Sequence, residues 1–298
     1  MDMQNTGAAA LTVYDRICLT RKNGRATAID YIESGDIFTD FCELHGDRTF
    51  GDDHAVIGGI ARLGDMPVTV IGIDKGRDLK ERLDRHSGCV LPEGYRKALR
   101  LIKQAEKFNR PVICFVDTQG ANCGKGAEER GAGEAIARNL YELSAVRTPI
   151  ITVMIGEGGS GGALALAVAD RVWMLSNAYY SVISPESCAS ILFKDPKRAP
   201  EAAEHLHLTA NDLVELGIVE KKIAEPDFAD ADARRSFMEK LGHSLHRELK
   251  ALSRLDADRL LAERTEKYRK IGRYDAYSVA GTGTAPAPHT HRWFSHGK

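Results

Sequence analysis

Twice in this chain a short apolar run stops abruptly at a cluster of glycines and gives way to helix-forming sequence. The first run is VICFVD (112–117), leading into TQGANCGKG; the second is PIITVMIG (149–156), leading into GEGGSGG (156–162) and then ALALAVA. Runs this short and this rich in Val and Ile suit buried strands. A chain that repeats strand, glycine turn and helix needs crossover connections. That constrains it to an α/β fold with a largely parallel sheet, whose loops collect at the carboxyl ends of the strands.

The flanking sequence extends the pattern. Residues 55–63 and 67–74 are Val/Ile-rich and separated by Gly64 and Asp65, a turn pair suited to a hairpin. Ala98, Leu101, Ile102 and Ala105 recur at helical spacing within 93–108, Glu128 to Ala145 reads as another helix, and 172–175 and 179–183 read as strands. Ahead of these, Ile29, Ile32, Phe38, Phe41 and Leu44, interrupted by Gly35, suggest two short helices. After Ala229 the sequence becomes charged and punctuated by Leu241, Leu245, Leu249, Leu252, Leu255, Leu260 and Leu261. This is a stripe that packs on the body of the protein or on a partner chain, and we assign it to a partner. The expected division is a helical N-terminal extension over 1–53, a main domain over 54–226, a helical region over 227–278 and a disordered tail over 279–298.

At 298 residues and 43% hydrophobic, the chain can bury one sizeable core. A net charge of −1 argues against nucleic-acid binding through bulk positive charge. The six cysteines show neither zinc-ligand nor redox spacing, the N-terminus lacks a signal-peptide pattern, and no run is long enough for a membrane span, so a cytoplasmic protein is expected. His289, His291 and His296 lie in sequence that would not fix a coordination geometry, and no metal site is expected.

The glycines of 156–162 let backbone approach a ligand and expose amides at a helix start, where an oxyanion could be met; equally, they permit tight strand-to-helix packing. Gly158, Ser160 and Gly162 also satisfy the G-x-S-x-G pattern of a hydrolase nucleophile. The acid and base it would need, Asp195 with His205 or His207, fall in one helical stretch, whereas triad members normally come from separate loops. The loop from Asp117 to Gly131 projects amides at the same sheet edge, so the two loops could form one concave site. Glu128, Glu129 and Arg130 could act as acid, base or anion clamp, or could simply suit the start of a helix. Cys123 lacks a base nearby in sequence. The run Lys75, Arg77, Lys80, Arg82 and Arg85 is interleaved with acids and reads as a solvated helix face, with phosphates or a partner's acids as the alternative.

Several segments in order, GGIARL, the KGR run, PEGYRKALRL, GAEERG with EAIARNL, GEGGSGGALA and YSVISPE with CASIL, resemble the alpha subunit of the acetyl-CoA carboxylase carboxyltransferase over residues 26–226. The resemblance implies a crotonase (ClpP-like) beta-beta-alpha superhelix with helical N- and C-terminal extensions. It also implies an alpha2beta2 assembly whose beta subunit holds the zinc, and a biotin carboxyl carrier protein that brings carboxybiotin to acetyl-CoA within a complex that binds ATP. The product would be malonyl-CoA, in the first committed step of fatty acid synthesis. By position, the backbone amides of Gly124 and Lys125 should face the biotin oxygen, and Gly158, Gly159, Gly161 and Gly162 should shape the wall beside it. Gln119, Asn122 and Cys123 depart from the family's D-T-P-G-A-Y-P-G form and remove two prolines from this loop. A paralogue for another acyl-CoA and a Ser160 hydrolase are the alternative readings.

Overall fold

The computed structural model describes residues 11–272. Eight strands form one mixed sheet: β1 (Thr39–Glu43), β2 (Val56–Leu63), β3 (Met66–Ile73), β4 (Val112–Thr118), β5 (Ile150–Gly159), β6 (Arg171–Leu175), β7 (Tyr179–Ser181) and β8 (Lys221–Ile223). The main path runs β1-β2-β3-β4-β5-β6-β8, with β7 paired to β5. The β2–β3 hairpin turns at Gly64 and Asp65 as the sequence predicts, and β3, β4, β5, β6 and β8 are mutually parallel. Every residue of β4 and β5 is buried, as a parallel strand covered on both faces requires.

Gly58 and Gly72 show what covers those faces. Gly58 faces its cross-strand partner's side, where a Cβ would meet Leu101 of helix Pro92–Lys107; Gly72, one residue beyond that partner, faces Ala28 and Ile32 of helix Ala28–Glu33. Neighbouring residues of a strand point to opposite faces, so the two helices lie on opposite sides of the sheet.

Four expectations about the elements change. Residues 26–46 hold one helix and then β1, an edge strand antiparallel to β2, in place of a second helix. The helix expected from Glu128 is broken into Lys125–Glu129 and Ala132–Ala145 by Gly131, whose φ of 82° is left-handed. β5 continues through the first glycines of its cluster and ends only at Gly159. The leucine stripe faces inward: Leu241, Leu245, Leu249 and Leu252 of helix Ala231–Leu252, with Leu260 of helix Ala257–Arg269, join the chain's own core, so the partner assignment is corrected. The tail over 279–298 and its three histidines lie outside the described residues.

Helix Ala257–Arg269 is held by a buried cation. Arg264 is 2% exposed, pairs with both oxygens of Asp170 at 2.7 and 2.8 Å, and donates to the carbonyls of Leu143, Val146 and Thr148. Asp170 in turn accepts from the amide of Ile150 at the start of β5. One side chain therefore ties this helix to the root of the strand that carries the second glycine cluster.

Candidate functional site

The two glycine loops clasp each other, backbone against backbone, instead of facing each other across a cleft. A Cβ on Gly162 would stand 2.6 Å from the amide nitrogen of Ala121, and one on Gly159 would run into the carbonyl of Gln119. Gly158 lies close against Tyr179, whose carbonyl a Cβ would meet at 2.8 Å, and Tyr180, because β5 leaves β6 after Met154 and pairs with β7 from Glu157 to Gly159. The packing role of these glycines, one of the two roles open from sequence, is thus what Gly158, Gly159 and Gly162 perform. Gly161 lines a cavity together with Ser160.

Gly124 is the N-cap of helix Lys125–Glu129, and both Gly124 and Lys125 are exposed. The two expected amides differ. The Gly124 amide donates to Asn122 Oδ1 at 2.9 Å, closing a local turn, whereas the amides of Lys125 and the following Gly126 have no acceptor among the described residues, as first-turn amides do not. The loop is further held by the Asn122 amide donating to Val90 O at 3.1 Å. Arg130 is ion-paired to the buried Glu93 and lies over Phe50, and Glu129 pairs with Lys125 at 3.5 Å, so neither is a free acid, base or clamp. Glu128 and Cys123 are exposed, and among the described residues no base is hydrogen-bonded to Cys123.

Beneath the loops is a buried charged cluster that sequence reasoning missed. Lys75 Nζ lies 2.9 Å from Asp117 at the end of β4 and 3.5 Å from Glu157 in β5, and it donates to Thr20 O at 3.0 Å. Glu157 also accepts from Arg21 at 3.0 Å and from Tyr179 Oη at 2.9 Å, and Arg21 continues to Glu186 at 2.7 Å. Burial pushes the Asp117 carboxyl upward and Lys75 opposes it; burial, reinforced by Glu157, pushes the Tyr179 phenol upward. Arg21, Gln119, Glu157, Tyr179, Ser184 and Glu186 line a polar cavity of about 390 Å³, so the two strand ends do share a recess, but one lined by charge and not by the glycines. The available signal was Glu157 itself, a lone carboxylate set among glycines at the end of a buried strand. The basic run is correspondingly divided: Lys75 is internal, and Lys80 is exposed on helix Leu79–Asp84.

An apolar cavity of about 370 Å³ lies beyond the clasp, and both Ser160 and His207 line it. Ser160 has the positive φ, 53°, that a strand-to-helix nucleophile turn would show. Among the described residues its hydroxyl meets no base, no carboxylate contacts His207, and Asp195 is engaged in capping its own turn through the Lys197 amide. The triad required of a hydrolase is not assembled.

These features define a class before they define a member. The transcarboxylase 12S core with bound methylmalonyl-coenzyme A superposes on 88% of this chain and 45% of its own, with a TM-score of 0.58 at 21% identity. A chain of a Pseudomonas malonate decarboxylase hetero-tetramer is covered over 99% of its length by 82% of this one, with a TM-score of 0.57 at 16% identity. The fold is that of the crotonase-type carboxyltransferases, as the sequence resemblance implied.

Sequence narrows the class further, since residues 2–272 match the family described as acetyl co-enzyme A carboxylase carboxyltransferase-like. The acetyl-coenzyme A carboxylase carboxyl transferase subunit alpha of Ruminiclostridium cellulolyticum is 55% identical over 262 residues, which cover 88% of this chain and 98% of that protein. Its counterpart in Clostridium acetobutylicum is 53% identical, covering 89% and 96%. A protein of Natranaerobius thermophilus named for subunits beta/alpha is 54% identical over 89% of this chain, which spans only 43% of that longer protein. The chain belongs to the acetyl-CoA carboxylase carboxyltransferase family.

Proposed function

We propose that the chain is the alpha half of an acetyl-CoA carboxylase carboxyltransferase, completed by a beta subunit and served by a biotin carboxyl carrier protein. The observation that carries this reading is the match to alpha subunits over nearly their whole length, glycine loops included. The beta/alpha relative, in which alpha-like sequence fills less than half the protein, supports a beta partner supplying the rest. Carboxybiotin would supply the activated carboxyl group, and acetyl-CoA would accept it to give malonyl-CoA at the entry to fatty acid synthesis in the cytoplasm.

This chain's part is positioning and electrostatic stabilisation. The unpaired amides of exposed Lys125 and partly buried Gly126 fit a ureido oxygen that gains negative charge in the transition state. The Gly124 amide, held by Asn122, sets the turn that aims them. The clasp at Gly159 and Gly162 fixes that loop on β5, so the donors need not reorganise during the reaction. Among the described residues no group of three or more His, Cys, Asp and Glu could hold a metal ion, and zinc is assigned to the beta partner.

The test is transfer of labelled carboxyl group from the carboxybiotinylated carrier to acetyl-CoA by the reconstituted alpha-beta pair, with propionyl-CoA in parallel. Label on acetyl-CoA supports the reading, and preferential label on propionyl-CoA moves the chain to a paralogue. Fluorophosphonate labelling of Ser160, lost in Ser160→Ala, with no transfer to either ester, would replace it with the hydrolase.

A further inference from the structure

Where β3 and β4 end, a cavity of about 220 Å³, lined in part by Lys75 and Asp117, has no part in the chemistry above. Six cationic side chains line it against two carboxylates, Asp30 and Asp117. Both carboxylates are already engaged. Asp117 pairs with Lys75 at 2.9 Å; Asp30 accepts from the Thr27 amide at 2.8 Å and lies 3.7 Å from Arg77. Two of the remaining cations are also paired, Arg25 with Glu225 and Arg77 with Glu81.

Three cations remain, each from a different segment. Lys22 follows the helix Val13–Thr20, Arg82 belongs to helix Leu79–Asp84, and Arg234 belongs to helix Ala231–Leu252. None of the three meets a carboxylate at ion-pair distance among the described residues. Arg82 is instead held by neutral acceptors, Asn23 Oδ1 at 2.9 Å and Gly76 O at 3.4 Å, which fix its guanidinium without cancelling its charge. Collecting uncompensated cations around one recess costs self-repulsion that an anion would remove, and arginine forks match phosphate oxygens in pairs.

We propose that this recess binds a diphosphate group. Three cations on separate walls suit an anion with several charges and two sets of oxygens better than a single carboxylate. Two sources share that chemistry, a free nucleoside diphosphate and the diphosphate of a coenzyme A ester, and the experiment separates them.

Calorimetric titration of the full chain with inorganic diphosphate reads the site without requiring carboxyl transfer, so its failure is distinct from failure of the proposed enzyme activity. The expected result is saturable binding that weakens as salt is added. Affinity should fall about tenfold or more in Lys22→Gln/Arg82→Gln and shift the same way in Arg234→Gln. Lys80→Gln, outside the recess, should bind as the unaltered chain does, and thermal melts of all variants verify folding. Displacement by coenzyme A assigns the site to the ester, and displacement by ADP alone assigns it to a free nucleotide. No saturable binding, or equal affinity in all the folded variants, overturns the proposal.

Discussion

Gly162 and Ala121 touch so closely that a Cβ on the glycine would stand 2.6 Å from the alanine's amide nitrogen. That contact locks the loop after β4 to the helix start after β5, and backbone cannot yield as a flexible side chain can. Gly162→Ala should therefore destabilise the protein by about 1–3 kcal/mol and lower carboxyl transfer as the 119–124 loop shifts. Gly161→Ala, whose nearest new contact is an ordinary 3.7 Å from Ile136, should be tolerated. Urea unfolding and transfer assays of the pair check the contrast; equal effects would mean that the clasp is not what positions the loop.

The Lys125 amide can be removed without removing the helix. Proline is favoured at a first helical position, and Gly124 ahead of it already has φ −68° and ψ 152°, the extended geometry a following proline needs. Lys125→Pro should reduce carboxyl transfer by roughly 10²–10³-fold if this amide meets the developing charge. Lys125→Gln, which keeps the amide, should retain most activity. Gly124→Pro removes the amide through which Asn122 sets the turn, at a φ proline adopts, and should lower transfer indirectly, by less than Lys125→Pro, which deletes a donor itself. Steady-state kinetics of the three variants, with complex assembly verified by gel filtration, decide the assignment.

Removing Arg264 would leave Asp170 buried and uncompensated. Arg264→Met should cost about 3–5 kcal/mol, as breaking a buried pair does, and Arg264→Met/Asp170→Asn should recover part of that loss. A double-mutant cycle by urea unfolding measures the coupling. Additive effects would contradict the pairing.

Acid sensitivity should follow Asp52. Burial pushes this carboxyl up, but the Lys97 ammonium at 2.8 Å, the Gly46 amide and His45 outweigh it and hold the pKa at about 2, below the ordinary 3.8. A depressed folded-state pKa gives stability that is present above the unfolded value and lost as pH falls through the folded one. Unfolding midpoints followed from about pH 5 to pH 2 should fall faster for the unaltered chain than for Asp52→Asn, narrowing the gap between them. A constant gap would show that Lys97 does not act through this carboxylate.

Much of the sheet was legible because its signals are local. The hairpin at Gly64 and Asp65, the uniformly buried β4 and β5 and the helix over Pro92–Lys107 follow from turn chemistry and periodicity. β1 was missed because an edge strand with no clean alternation of burial has the same apolar spacing as a short helix. Gly131 ended a helix that composition alone would have continued. The leucine stripe showed an apolar face without showing what covers it; the cover is the chain's own core. In the site, sequence located both loops but not their relation, because a clasp between Gly162 and Ala121 is set by strand order and not by either segment alone. Lys75, Asp117 and Glu157 were hidden for the same reason, lying far apart in sequence and within 3.5 Å across adjacent strand ends.

If this chain is half of a carboxyltransferase site, it should turn over only with its other half. Biocytin-dependent decarboxylation of malonyl-CoA, assayed with the purified chain alone and again with its beta subunit, tests it most directly. The expected result is no turnover from the chain alone and turnover when beta is added, lost in Lys125→Pro while the complex remains assembled. Full activity from the chain alone, or none from a stable complex supplied with malonyl-CoA, would contradict it.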